Sequence, residues 1–165
     1  MASTHFNSDG EARMVDVSAK ALTKRSATAA AQVSMSIEAL QMVRDGNAAK
    51  GDVLAVARIA AITATKLTSQ LIPLCHAIPI ESASVSFEFL ESSAAAPALM
   101  CRVTCETTFK TGIEMEAMTG ASVAALTVYD MLKSVDRRMT IGPVRLERKT
   151  GGASGDHDFA DTKEQ

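Results

Sequence analysis

Residues 112–135, GIEMEAMTGASVAALTVYDMLKSV, constrain the fold of this chain more than any other segment. Their Ala, Leu and Met content favours helix despite the internal Gly120. Apolar side chains recur on so many faces of that helix that it must be buried on several sides. One small sheet covers one side, so other helices or a second copy of the chain must cover the rest.

Small residues build the remaining core. With 47% hydrophobic residues but one Tyr, five Phe and no Trp, it draws on Ala, Val, Leu, Ile and Met, which implies close approach of the elements. A length of 165 residues fits one domain, at 1–150, followed by a polar, flexible tail at 151–165.

Residues 26–35 alternate, with Ala27, Ala29, Ala31, Val33 and Met35 opposed to mostly polar neighbours, and period two predicts a strand. Ser36 then caps a short helix, IEALQMVRD, that stops at Gly46. Asp52 is the expected N-cap of a second helix reaching about Gln70. Its apolar side carries Val53, Val56, Ala57, Ala60, Ala64, Leu67 and Leu71, with Arg58, Thr65 and Ser69 opposite. Pro73 and Pro79 bracket LIPLCHAIPI as an ordered but irregular loop, a good place for a site. Residues 82–90 and 99–107 alternate cleanly and read as an antiparallel pair, joined by a surface connection, ESSAAAPA. The final strand, TIGPVRLERK, contains a proline, which confines it to an edge or to its first positions. The order strand, two helices, two strands, helix, strand fits an α+β fold of ferredoxin-like type, a largely antiparallel sheet with helices packed on one face.

A formal charge of −2 with basic residues scattered along the chain leaves no footprint for nucleic acid. No apolar run approaches the roughly 20 residues of a membrane span, and MASTHFNSDGEAR lacks the apolar centre of a signal peptide, so the expected location is cytoplasmic. Cys75, Cys101 and Cys105 are an odd set in a reducing compartment, and Cys101 and Cys105 lack C-x2-C spacing. Neither a disulfide framework nor a metal site is expected.

Asp130 and Lys133 share one surface of the long helix. As an exposed ion pair they contribute only about 0.3 to 0.5 kcal/mol. In a pocket, desolvation would lower the lysine pKa and fit it for proton transfer. Cys75 and His76 are either a buried cysteine beside a hydrogen-bonding histidine or part of a ligand loop. Arg25, Lys50 and Lys149 stand at element ends, where solvated charge is the ordinary role, although a triphosphate needs several convergent cations. Glu114 and Glu116 flank Met115 at a helix start, where the macrodipole alone favours acids. The Lys149-Thr150-Gly151-Gly152 stretch lacks P-loop spacing but suits a flap over phosphates.

Taken together, MVDVSAK, KGDVLAVARIA, LIPLCH, KTGIEMEAMTGASVAALTVYDMLK and IGPVRL followed by K-x-G-G-x-S-G-D resemble the cyclic pyranopterin monophosphate synthase family of molybdenum cofactor biosynthesis, over about residues 4–156. That resemblance implies a cyclised dihydro-GTP as small-molecule substrate and diphosphate as a product. It implies catalytic roles for Asp130 and Lys133, and substrate contacts from Leu74, Cys75, His76, Met115 and Glu116. Arg25, Lys50 and Lys149 match basic pocket positions. It further implies a homohexamer, a trimer of dimers, with pockets between subunits. No resident cofactor is required, and magnesium accompanying the triphosphate is compatible with the sequence. Two other readings use the same residues: a nucleotide or pterin carrier that employs the cations for affinity alone, and a Cys-His hydrolase with Cys75 as nucleophile.

Overall fold

The alternation along residues 26–35 does form a strand, which begins earlier, at Thr23: β1 spans Thr23–Ser34. The structure, a computed structural model, describes residues 9–92, 95–153 and 155–159. After β1 come α1 (Ile37–Asp45), α2 (Val53–Leu71), β2 (Ser82–Ser92), β3 (Ala95–Phe109), α3 (Glu114–Leu132), β4 (Thr140–Thr150) and β5 (His157–Asp158). The strands form one sheet in the order β2-β3-β1-β4-β5, every pairing antiparallel. With β1 between β3 and β4, the first four strands have the expected ferredoxin-like order.

Small residues on β1 decide how closely the helices approach. Ala27, Ala29, Ala31 and Val33 are buried on one face, together with Val85, Leu99, Cys101, Val103 and Cys105 of the neighbouring strands. α3 packs on β1, β3 and β4, and α2 packs against α3 and β2. The other face of the sheet is polar. There the Thr28 and Thr104 hydroxyls meet at 2.8 Å, and Arg102 Nε donates to Glu147 Oε2 at 2.8 Å.

Both helix caps act as the sequence indicates. Ser36 Oγ accepts from Ala39 N at 3.2 Å, Asp52 Oδ1 accepts from Ala55 N at 2.9 Å, and Gly46 ends α1 in the left-handed region at φ 67°. Pro143 lies in β4 at a register irregularity against β1, between Ile141, which pairs with Val33, and Val144, which pairs with Ala31, a place in a ladder that tolerates a missing amide.

Two expectations need correction. The connection ESSAAAPA is mostly strand: β2 runs to Ser92 and β3 begins at Ala95, leaving only residues 93–94, which lie outside the described residues. Backbone pairing continues through it, as in Ser92 with Ala95, and Pro97 O accepts from Met35 N. The buried face of α2 is also rotated from the expected one. It consists of Val53, Ala57, Ala61, Ala64, Thr65 and Thr68, while Val56, Leu67 and Leu71 are exposed. Close packing explains the rotation, because a Cβ on Gly120 of α3 would stand 2.8 Å from Thr65 Cγ2 and 3.0 Å from Val103 Cγ1. Helices this close admit only the small face of α2.

Candidate active site

The proline-bracketed loop after α2 is held at both ends. Cys75 N donates to Ile72 O at 3.1 Å, and Thr107 Oγ1 donates to Pro79 O at 2.7 Å. This places Leu74, Cys75 and His76 opposite the first turn of α3, where Met115 and Glu116 face the same cavity, of about 310 Å³. The five residues therefore line one cavity. Val15, Val17 and Lys20 close the cavity from the N-terminal side.

Glu116 is the buried carboxylate of this cavity. Its residue exposure is 2%, and its Oε2 lacks a hydrogen-bond partner among the described residues. Burial pushes its carboxyl up to about 6, with the charge of Glu114 adding to the effect and a backbone hydrogen bond opposing it. Burial also raises the Cys75 thiol, and the negative charge of Glu116 raises it further. Cys75 is thus a protonated thiol at neutral pH, the reverse of an activated nucleophile.

A second cavity, of about 560 Å³, shares Lys20, Thr111, Gly112 and Glu114 with the first and adds Arg25, Lys110 and Gly152. Arg25 Nε donates to Phe109 O at 3.1 Å, and Lys149 Nζ lies 3.3 Å from Glu114 Oε1. The glycine-rich stretch seats on this cationic wall. Gly151 and Gly152 take φ of 83° and 82°, and a Cβ on either would collide with Lys24 O or the Arg25 guanidinium. Thr23 lines this cavity as well, its hydroxyl buried with no hydrogen-bond partner among the described residues.

The remaining three residues gather elsewhere. Asp130 Oδ2 accepts from Lys50 Nζ at 2.8 Å, and Asp130 Oδ1 lies 2.7 Å from Lys133 Nζ. Lys50 Nζ also donates to the Asp130 carbonyl at 2.8 Å. Hydrogen bonds from Lys133 and then Lys50 hold the Asp130 carboxyl down at about 2, and the same contact raises Lys133. All three side chains are about half exposed. Glu116 and Asp130 stand near opposite ends of α3. At ~1.5 Å rise per residue they are about 20 Å apart along its axis. Within one chain, the Asp130 cluster does not join the His76 cavity.

Sequence reasoning left out Lys20, Lys110 and Glu114 as site residues, although all three border the cavities. A signal was present, since Lys20 ends MVDVSAK and Lys110 opens KTGIEMEAM. Among the described residues no group of three or more His, Cys, Asp or Glu is placed to hold a metal ion. No helix of those residues is long and apolar enough to cross a membrane.

Residues 14–152 match the MoaC family. A cyclic pyranopterin monophosphate synthase of Rhodopirellula baltica is 58% identical over 160 residues, covering 93% of this chain and 91% of the relative. Proteins of the same name from Brevibacillus brevis and Desulfitobacterium hafniense are each 52% identical, covering 93% and 94% of this chain and 93% of each relative. With a family match over residues 14–152 and more than half identity to such relatives, the chain belongs to the MoaC family.

Proposed function

We propose that this chain is a cyclic pyranopterin monophosphate synthase, converting (8S)-3′,8-cyclo-7,8-dihydroguanosine 5′-triphosphate to cyclic pyranopterin monophosphate with release of diphosphate. One observation carries the reading: a cavity lined by a buried carboxyl and an imidazole shares the wall formed by Lys20, Thr111, Gly112 and Glu114 with a cationic one. Ring rearrangement needs proton transfers, which suit Glu116 and His76. Closing the cyclic phosphate needs a sugar oxygen to bond the α-phosphorus while the bond to the β-phosphate oxygen breaks. The diphosphate leaves with that electron pair, and Arg25 and Lys149 stabilise the charge it carries away. Leu74 and Met115 line the same cavity and would pack on the pterin faces.

Asp130 and Lys133 complete this site as catalytic residues, with Lys50 beside them. Asp130, ionised throughout the neutral range, keeps Lys133 an ammonium able to donate a proton or a hydrogen bond. Because the two clusters lie about the length of α3 apart in one chain, the complete site is built between two copies. Exposed Val56, Ile59, Leu71 and Leu126 supply apolar surface for such an association. The assembly proposed is a hexamer, a trimer of dimers, in the cytoplasm. No resident cofactor enters the reaction, and magnesium would arrive with the triphosphate.

The test is diphosphate release from the cyclised substrate by wild type and Lys133→Ala. The expected loss in the variant is about 10²- to 10⁴-fold. Equal rates would remove Lys133 from the chemistry, and a wild type that binds the substrate without releasing diphosphate would be a carrier.

A further inference from the structure

His76 is held from outside its own loop. Its Nε2 lies 2.8 Å from the carbonyl oxygen of Val15. A carbonyl oxygen only accepts, so Nε2 carries the proton, and in the neutral ring Nδ1 keeps the lone pair. That carbonyl belongs to a short strap, residues 15–20, which has no regular secondary structure. The strap is nevertheless fastened. Ser18 N donates to Asp16 Oδ1 at 2.8 Å, Lys20 N donates to Val17 O at 3.1 Å, and Lys110 Nζ donates to Ser18 O at 2.6 Å. Its own side chains, Val15, Val17 and Lys20, line the cavity that contains His76 and Glu116.

We propose that Asp16 and Lys110 are positioning residues for His76: they hold the strap so that the Val15 carbonyl selects the Nε2–H tautomer and leaves Nδ1 as the basic nitrogen of the ring. The inference rests on the reading of His76 as a group that meets the substrate. It assigns the strap a share in the chemistry, because an imidazole with the wrong nitrogen protonated cannot accept a proton where the reaction requires it. Asp16 itself is exposed, hydrogen-bonds the strap backbone and does not line the cavity of Glu116, although with Val15, Val17 and His76 it borders a further hollow beside the strap. The effect assigned to it is the one that passes through the position of Val15, and Asp16→Asn, which removes the charge but keeps the acceptor, separates that from a direct effect of the carboxylate on the ring.

Long-range ¹H–¹⁵N correlation spectra of the imidazoles in uniformly labelled full-length protein read the tautomer directly. Only His5, His76 and His157 contribute, and His76→Gln identifies the signal of interest. Wild type should show the Nε2–H pattern. Asp16→Ala should show a mixture of tautomers, with kcat for diphosphate release lowered about tenfold to a hundredfold and KM little changed. Asp16→Asn, which keeps an acceptor oxygen, should restore both the spectrum and the rate. An Nδ1–H pattern in wild type overturns the proposal, as does a mixture in Asp16→Ala with kcat intact. A variant that is merely less stable, with its tautomer unchanged, overturns it too. The spectra need no substrate, so a wild type that releases no diphosphate defeats the functional reading while they still decide whether the strap sets the tautomer.

Discussion

A carboxyl buried at the start of α3 makes the stability of the free protein depend on pH. Glu116 titrates near 6 when folded, against an ordinary value of 4.5. Between those values the folded state binds more protons than the unfolded one, so stability falls as pH rises from about 4.5 through 6. Above that range the full penalty applies, about 1 to 2 kcal/mol after allowance for solvent. Glu116→Gln should therefore unfold at higher temperature than wild type at pH 7 and at the same temperature below pH 4.5, while losing turnover. A pH-independent difference in thermal scans would contradict this account. Asp130 has the opposite sign, its contribution being present above about 3.8 and lost as pH falls toward 2. At Cys75 the raised thiol argues against a nucleophile, so Cys75→Ser should keep diphosphate release within about tenfold of wild type. A loss as large as that of Lys133→Ala would favour the hydrolase reading. The identity of these residues was legible in LIPLCH and EMEAM, but their burial was not. Helix-start chemistry explains an acid at 116 equally well in solvent, and the covering groups come from the distant loop and strap.

The helix ends were legible because capping is local: Ser36, Gly46 and Asp52 act on amides or carbonyls within a few residues. The buried face of α2 was not, because periodicity shows that a stripe exists while the neighbour decides which stripe is used. Here that neighbour is Gly120. Replacing it with Ala would gain about 1 kcal/mol of helix propensity yet press a methyl on Thr65 Cγ2 and Val103 Cγ1, both on fully buried, branched side chains. Overpacking of this kind costs about 1 to 3 kcal/mol. Gly120→Ala should therefore lower the urea midpoint, with the slope unchanged. Adding Thr65→Ser should recover most of the loss, since serine lacks Cγ2 but keeps the hydroxyl that donates to Ile62 O at 2.9 Å. A double variant no more stable than Gly120→Ala would place the strain elsewhere, for instance at Val103.

Across the whole molecule, α3 holds two clusters of charged residues apart, with Glu116 in the cavity at one end and Asp130 between two lysines at the other. A rigid helix of about 28 Å cannot bring them together, so a site needing both must take one end from each of two chains. Mixed assemblies test this without any structure determination. Lys133→Ala and His76→Ala should each be inactive alone. When the two are co-expressed, random pairing makes half of the dimers mixed, and each mixed dimer contains one site with both lesions and one with neither. Activity should then return to about a quarter of wild type. Asp130→Asn with Lys133→Ala is the control, because both lesions fall in the same cluster and every mixed site keeps one of them. That pair should stay inactive. If the first mixture is as inactive as its parents while differently tagged copies co-purify, so that mixed assemblies form, the Asp130 cluster and the His76 cavity do not share a substrate, and Lys133 must act on something other than the molecule bound beside Glu116.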